Sequence, residues 1–300
     1  MYPINKILVP LDESELAERA LEPAFALARE TGAVVITLSV PVFEALTMVE
    51  PIGMSVVLNE DYPEHLEQRL VEYNQGICLR GERSGVVVRP LIEEGDVASV
   101  IVDTAVAEKV DLIVMSTHGR SGISRWMLGS VTEKVLRQAP CPVYVVRSPM
   151  PLERILIPLD GSMLSETALE PAFTLADLFH TDVTLMRVRV EEDIKQREVA
   201  ELDQVEPGLG QRLLDGFYTR EEDYLREITG RYEHLALAVD TAVRQGSPAN
   251  AILAAADELA CDLVVMSTHG RTGLQRWAYG SVTEKVLRGT ECDMLIIRSV

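Results

Sequence analysis

"KILVPLDESELAERALEPAFALARETGAVVITLSV", residues 6–40, sets a β-branched apolar run, an amphipathic stretch and a second apolar run one after another. Lys6–Pro10 reads as a buried strand. Glu15–Glu30 carries Leu16, Ala20 and Leu27 on helical spacing and predicts a helix. Ala33–Val40 is the next strand. The same alternation continues outward: Val86–Leu91 a strand, Val97–Glu108 a helix, Asp111–Met115 a strand, Ser130–Gln138 a helix and Pro142–Arg147 a final strand. Strands rich in Val, Ile and Leu that alternate with helices call for a mainly parallel sheet covered on both faces. Right-handed crossovers then give a doubly wound α/β fold.

The chain carries this plan twice. "RILIPLDGSMLSETALEPAFTLA" (154–176) repeats residues 6–28 at an offset of 148, and "DLVVMSTHG" (262–270) repeats residues 111–119 at an offset of 151. Two prolines interrupt "RSPMPLER" (147–154), so the expected domains are residues 1–149 and 150–300. The middle segments, about 41–85 and 191–235, match poorly. The second holds 13 Asp/Glu against 6 Lys/Arg and reads as part helix with a solvated face, or as a lid or partner surface.

The formal net charge of −19 on 300 residues disfavours non-specific binding to nucleic acid or anionic membrane. Met1 is followed by a strand-like segment rather than a basic region and an apolar run, so no signal peptide is expected. No apolar run reaches the ~18 residues of a membrane span. Cys78, Cys141, Cys261 and Cys292 form no CxxC pair and read as free thiols in a reducing cytoplasm.

The most faithful repeat is "MSTHGRSGISRWMLGSVTEKVLR" (115–137), which returns at 266–288 with 18 of 23 positions identical. It follows a strand and opens a helix. Glycine permits close approach of backbone to a ligand. Ser130 and Glu133 have capping-box spacing, which makes Ser130 the expected helix start. A helix start offers free N–H groups and a positive dipole end to a phosphate. Each copy of the stretch carries a formal +3 within an acidic chain. Neither GxxxxGK[ST] nor GxGxxG is present. Asp12 and Asp160 fall at the ends of the first strand of each copy. Each can accept from an adenine or ribose group, or join Ser14 or Ser162 in capping the next helix.

Together these residues resemble the universal stress protein family, in a tandem form that covers both halves. Its nucleotide-binding branch has the pattern G-x2-G-x9-G-[S/T]. Gly119 with Gly129–Ser130 fits it, as does Gly270 with Gly280–Ser281, while Ser116 and Ser267 replace the first glycine. A positive φ at either serine would be strained. The resemblance implies a five-stranded sheet per copy, with adenine near the ends of the first and fourth strands. Carried over by position, Pro10, Leu11, Asp12 and Val40 line the adenosine side, and Met115, Ser116, Gly119, Gly129, Ser130, Val131 and Thr132 meet ribose and phosphates. In the second copy these are Pro158, Leu159, Asp160, Val188, Met266, Ser267, Gly270, Gly280, Ser281, Val282 and Thr283. The implied ligand is ATP or another adenine nucleotide, with Mg²⁺ bridging the phosphates and no dedicated protein ligands. The resemblance also implies pairing through the final strands, "CPVYVVR" (141–147) and "CDMLIIR" (292–298), within one chain as a pseudo-dimer or between two chains.

His118 and His269 can contact phosphate or act as general bases, yet no acid pair or nucleophile is spaced around them. Arg120 and Arg271 can clamp phosphate or stay solvated. Trp126 and Trp277 read as packing residues, and Met115 and Met266 as core at strand ends. The favoured function is a nucleotide-dependent regulatory module with an unknown protein partner, acting in stress response as the resemblance implies. The alternatives are a slow ATPase, which needs a positioned base, and a nucleotide-free interaction protein.

Overall fold

The computed structural model describes residues 1–41, 47–50, 53–56, 62–117, 128–147, 151–190, 202, 206–268 and 280–298. In chain order the first repeat forms β1 (Lys6–Leu11), α1 (Glu15–Glu18), α2 (Leu21–Thr31), β2 (Val34–Ser39), β3 (Thr47–Glu50), β4 (Gly53–Val56), α3 (Tyr62–Arg83), β5 (Val88–Ile92), α4 (Val97–Ala107), β6 (Leu112–Ser116), α5 (Ser130–Gln138) and β7 (Val143–Val146). The second forms β8 (Arg154–Leu159), α6 (Met163–Glu166), α7 (Leu169–Phe179), β9 (Asp182–Arg189), α8 (Leu209–Tyr232), β10 (Val239–Gln245), α9 (Pro248–Glu258), β11 (Leu263–Thr268), α10 (Ser281–Gly289) and β12 (Asp293–Arg298).

The helix expected over Glu15–Glu30 is broken in two at Arg19 and Ala20. Pro23 has no N–H to return to the carbonyl four residues earlier, so the helix restarts at Leu21 with the proline in its first turn. Pro171 repeats the arrangement in α7. Of the expected apolar face, Ala20 and Leu27 are buried, joined by Leu21 and Ala24, whereas Leu16 is half-buried. The two-stranded β3–β4 sheet lies in a segment whose sequence gave no strand signal.

Two compact units result. The first is built on Ile4–Ile123 and Gly129–Ala139, the second chiefly on Pro140–Val300 with Met1–Pro3. In the first unit the strand order β6-β1-β2-β5 is parallel throughout. In the second the order is β10-β9-β8-β11-β12-β7, parallel except for its last pair. The sheet cores are continuous Val, Ile and Leu, with Ile7, Leu8, Val9, Ile113, Ile155, Leu156 and Val264 fully buried. Helices pack on strands on the scale of a doubly wound α/β fold.

The sequence repeat ends near 149, but by packing β7 belongs with the second unit. It pairs antiparallel with β12 through Val143↔Ile296, Tyr144↔Leu295 and Val145↔Met294. Asp293, nearly fully buried, clips the pair. Its Oδ2 accepts from the Tyr144 hydroxyl at 2.9 Å and its Oδ1 from the Arg147 backbone N–H at 2.6 Å. The two final strands thus pair with each other inside the chain. Among the described residues no helix is long and apolar enough to cross a membrane. None of the four cysteines is in a disulfide; Cys141, Cys261 and Cys292 are buried and Cys78 is half-buried. Burial, with Cys292 and Asp262 nearby, pushes the Cys261 thiol up to about 12.

Candidate functional site

Strand order reverses between β1 and β6 in the first unit, and between β8 and β11 in the second. In an open α/β sheet this is where a crevice opens beyond the carboxyl ends of the strands. The residues expected on the adenosine side stand there. Pro10 and Leu11 end β1, paired with Leu38 and Ser39 of β2, with Asp12 and Val40 just beyond the strand ends. Pro158 and Leu159 end β8, followed by Asp160, and Val188 lies near the end of β9. Met115 and Ser116 close β6, and Met266 and Ser267 lie near the end of β11. Both methionine side chains are buried. Neither Ser116 nor Ser267 is among the described non-glycine residues with positive φ, so the serines cause no backbone strain. His118, Gly119, Arg120, Trp126, His269, Gly270, Arg271 and Trp277 lie outside the described residues.

The helices start where the capping-box spacing puts them, at Ser130 and its repeat Ser281, but neither serine is the cap. The N-cap of α5 is Gly129, and that of α10 is Gly280; neither has a side-chain cap hydrogen bond. Ser130 and Ser281 are the first helical residues, exposed at the surface. The N–H groups of Ser130, Val131 and Thr132, and of Ser281, Val282 and Thr283, occupy first-turn positions that lack intrahelical acceptors. Gly129 (φ −62°) and Gly280 (φ −58°) have backbone angles that any residue adopts. At Gly280 a Cβ would meet nothing nearer than Thr283 Oγ1 at 4.0 Å. Neither backbone conformation nor packing among the described residues requires a glycine at position 280.

Thr132 and Thr283 are buried and hold the helix starts to the strand ends. Thr132 Oγ1 donates to the Ser116 carbonyl at 3.1 Å, and Gly129 N–H donates to the Thr117 carbonyl at 2.8 Å. Thr283 Oγ1 donates to the Ser267 carbonyl at 3.4 Å, and Gly280 N–H donates to Thr268 Oγ1 at 3.4 Å. These side chains fix where the first-turn N–H groups point.

The aspartates do what the capping reading required. Asp12 Oδ1 accepts from the Ser14 hydroxyl at 2.6 Å, and Ser14 Oγ caps α1 by accepting from Ala17 N–H at 3.1 Å. Asp160, Ser162 and Ser165 repeat this at 2.6 and 3.1 Å. Burial raises the Asp160 carboxyl pKa, but hydrogen bonds from Ser162 and Ser165 and the Arg187 charge outweigh it and hold it below the usual range.

One constellation escaped the sequence because it joins the first helix to the poorly matched middle segment. Arg80 pairs with Glu18 at 2.7 Å in the first unit, and Arg231 with Glu166 at 2.7 Å in the second. Tyr224 also donates to Glu166 at 3.2 Å, and Tyr73 is its counterpart beside Glu18. Burial and the adjacent carboxylate push the Tyr224 hydroxyl up to about 12. The 148 offset of Glu18 and Glu166 meets the 151 offset of the α3 and α8 residues, so the signal was a shift in register between copies.

The universal stress protein family matches residues 3–147 and again residues 151–298. Universal stress protein MJ0531 of Methanocaldococcus jannaschii is 33% identical over 145 residues, which cover 48% of this chain and 83% of that protein. Universal stress protein Rv2005c of Mycobacterium tuberculosis is 29% identical over 205 residues, covering 64% of this chain and 63% of that protein. The crystal structure of a universal stress protein from Archaeoglobus fulgidus superposes with a TM-score of 0.72 at 22% identity, covering 98% of both chains. With strand order, repeat and both family matches in agreement, the chain belongs to the universal stress protein family.

Proposed function

We propose that the chain is an adenine-nucleotide-binding regulatory module, with one potential site per repeat. The observation that carries this reading is the paired helix start. Gly129 and Gly280 serve as N-caps without a capping side chain, in conformations that do not need glycine. Space left by a missing Cβ beside unsatisfied N–H groups suits a phosphate that must approach the backbone. On this reading the N–H groups of Ser130, Val131 and Thr132, with Gly119 and Arg120, receive the phosphates of the first site. Ser281, Val282, Thr283, Gly270 and Arg271 do so in the second. Pro10, Leu11, Asp12 and Val40, or Pro158, Leu159, Asp160 and Val188, hold the nucleoside. Mg²⁺ rides on the phosphates and water, where it neutralises charge.

A regulatory role is favoured over turnover because the aspartates at the strand ends are engaged in helix capping rather than poised against a nucleophile. Nucleotide extraction tests the reading. The chain is purified without added nucleotide and denatured, and the released adenine nucleotide is identified and counted by chromatography, with Mg-ATP titration of the emptied protein. Bound or titratable ATP that persists for hours supports the module. Steady conversion to ADP, lost in Asp12→Ala/Asp160→Ala, would assign an ATPase. No release and no binding would leave the interaction-protein reading.

A further inference from the structure

The two crevices are alike at the helix start and different at the nucleoside side. At the end of β2 the first unit has Ser39, buried, accepting a hydrogen bond from Asn74 Nδ2 at 3.2 Å. Asn74, itself buried in α3, also accepts from Thr37 Oγ1 at 3.2 Å and donates to the Leu70 carbonyl at 2.8 Å. The 148 and 151 offsets place Arg187 and Leu225 at the positions of Ser39 and Asn74. Leu225 is fully buried and its side chain offers no hydrogen bond in place of Asn74's amide. Arg187 instead lies over the Tyr224 ring, 5.3 Å from its centroid, with Nη1 3.5 Å from the Leu159 carbonyl.

A third change accompanies these two. The residue after the strand-end aspartate is Glu13 in the first unit, held at φ 64° and paired with Arg69 at 2.7 Å. In the second it is Gly161, at φ 78°. A Cβ on Gly161 would come within 2.9 Å of Arg187 Nη1, closer than real side chains pack. With no side chain at Gly161, the guanidinium lies directly against the turn. The neighbouring Arg189 is neutralised by Glu221 at 3.2 Å, whereas the Arg187 Nε is buried without a hydrogen-bond partner among the described residues. Three positions have changed together to seat one cation beside Asp160 and against the Leu159 carbonyl.

Resting on the nucleotide reading above, we propose that Arg187 makes the two sites unequal: Mg-ATP fills the first repeat's crevice and is shut out of the second. Leu159, Asp160 and the turn at Gly161 are the groups that would meet the nucleoside, and the guanidinium stands on all three. It satisfies the carbonyl, screens the carboxylate that would accept from the base or ribose, and fills the space beside the turn. A neutral base gains nothing from displacing it.

Calorimetric titration of the emptied full chain with Mg-ATP tests this. Wild type should bind one equivalent, lost in Gly129→Val and kept in Gly280→Val. Arg187→Ser, which restores the first unit's residue, should raise the count to two, with the added equivalent lost on Gly280→Val. Two equivalents in wild type, one of them lost in Gly280→Val, would overturn the inference while leaving the nucleotide reading intact. So would one equivalent that Gly280→Val removes, or one that stays one in folded Arg187→Ser. The glycine variants decide the wild-type occupancy even where Arg187→Ser fails to fold. No binding in any variant would overturn both readings.

Discussion

Lys109 and Ala260 sit at corresponding places after α4 and α9, at φ 53° and 47°. Each is the left-handed residue of a helix C-terminus: Val110 N–H returns to the Ala105 carbonyl at 3.0 Å and Cys261 N–H to Ala256 at 2.8 Å. A side chain in this conformation costs about 1–2 kcal/mol, part of which glycine gives back through its freer unfolded chain. Lys109→Gly and Ala260→Gly should each stabilise the chain by about 0.5–1 kcal/mol, read as a rise in the urea midpoint. Asp160 gives a pH prediction. Its folded pKa is lowered, so its stabilising contribution is complete above the ordinary carboxylate range and is lost as pH falls through the depressed folded value. Asp160→Asn should therefore make acid unfolding less steep, measured by circular dichroism between neutral pH and strongly acidic pH. An acid limb identical to wild type would mean that Asp160 is no better held in the folded chain than in the unfolded one.

At the scale of elements, the pairing of β7 with β12 depends on one buried carboxylate. Tyr144→Phe removes the donor to Asp293 Oδ2 and leaves that oxygen buried. The expected cost is about 1–3 kcal/mol, seen as a lowered denaturant midpoint with the ends of β1 and β8 untouched. This contact also marks where the sequence stopped being legible. The strands β1, β2 and β6 and the helix α5 were readable because burial on both faces leaves uninterrupted Val/Ile/Leu runs, and amphipathic helices leave a 3.6-residue period. Position 293 is Asp in the second copy and its counterpart is Pro142, so no repeat signal pointed to a polar clip in an apolar strand pair. The capping-box spacing at Ser130 misled for a similar reason. Ser130 and Glu133 satisfy the pattern and α5 does begin at Ser130, but Thr132 and Gly129 bond to carbonyls at and just beyond the β6 end and make Gly129, not Ser130, the N-cap. The strand-end positions of Pro10, Leu11, Met115 and Ser116 could be named from the pattern alone. The Glu18–Arg80 and Glu166–Arg231 pairs could not, because their partners lie on opposite sides of the three-residue change in offset.

Across the whole molecule, duplication has kept the helix starts and loosened what surrounds them. The −19 formal charge is spread over a chain whose two most faithful segments are each formally +3. That contrast suits an anionic ligand drawn to one place on an otherwise repelling surface. The central claim is that phosphate approaches the helix start where the Cβ of Gly129 would be, an arrangement whose backbone is repeated at Gly280. The direct measurement is Mg-ATP affinity of the wild-type chain against the Gly129→Val/Gly280→Val double variant, with thermal melting of both as the check on folding. The account predicts saturable binding in the wild type and a loss of at least about tenfold, or about 1.4 kcal/mol, in a variant that melts as the wild type does. Unchanged affinity in the folded double variant would contradict it.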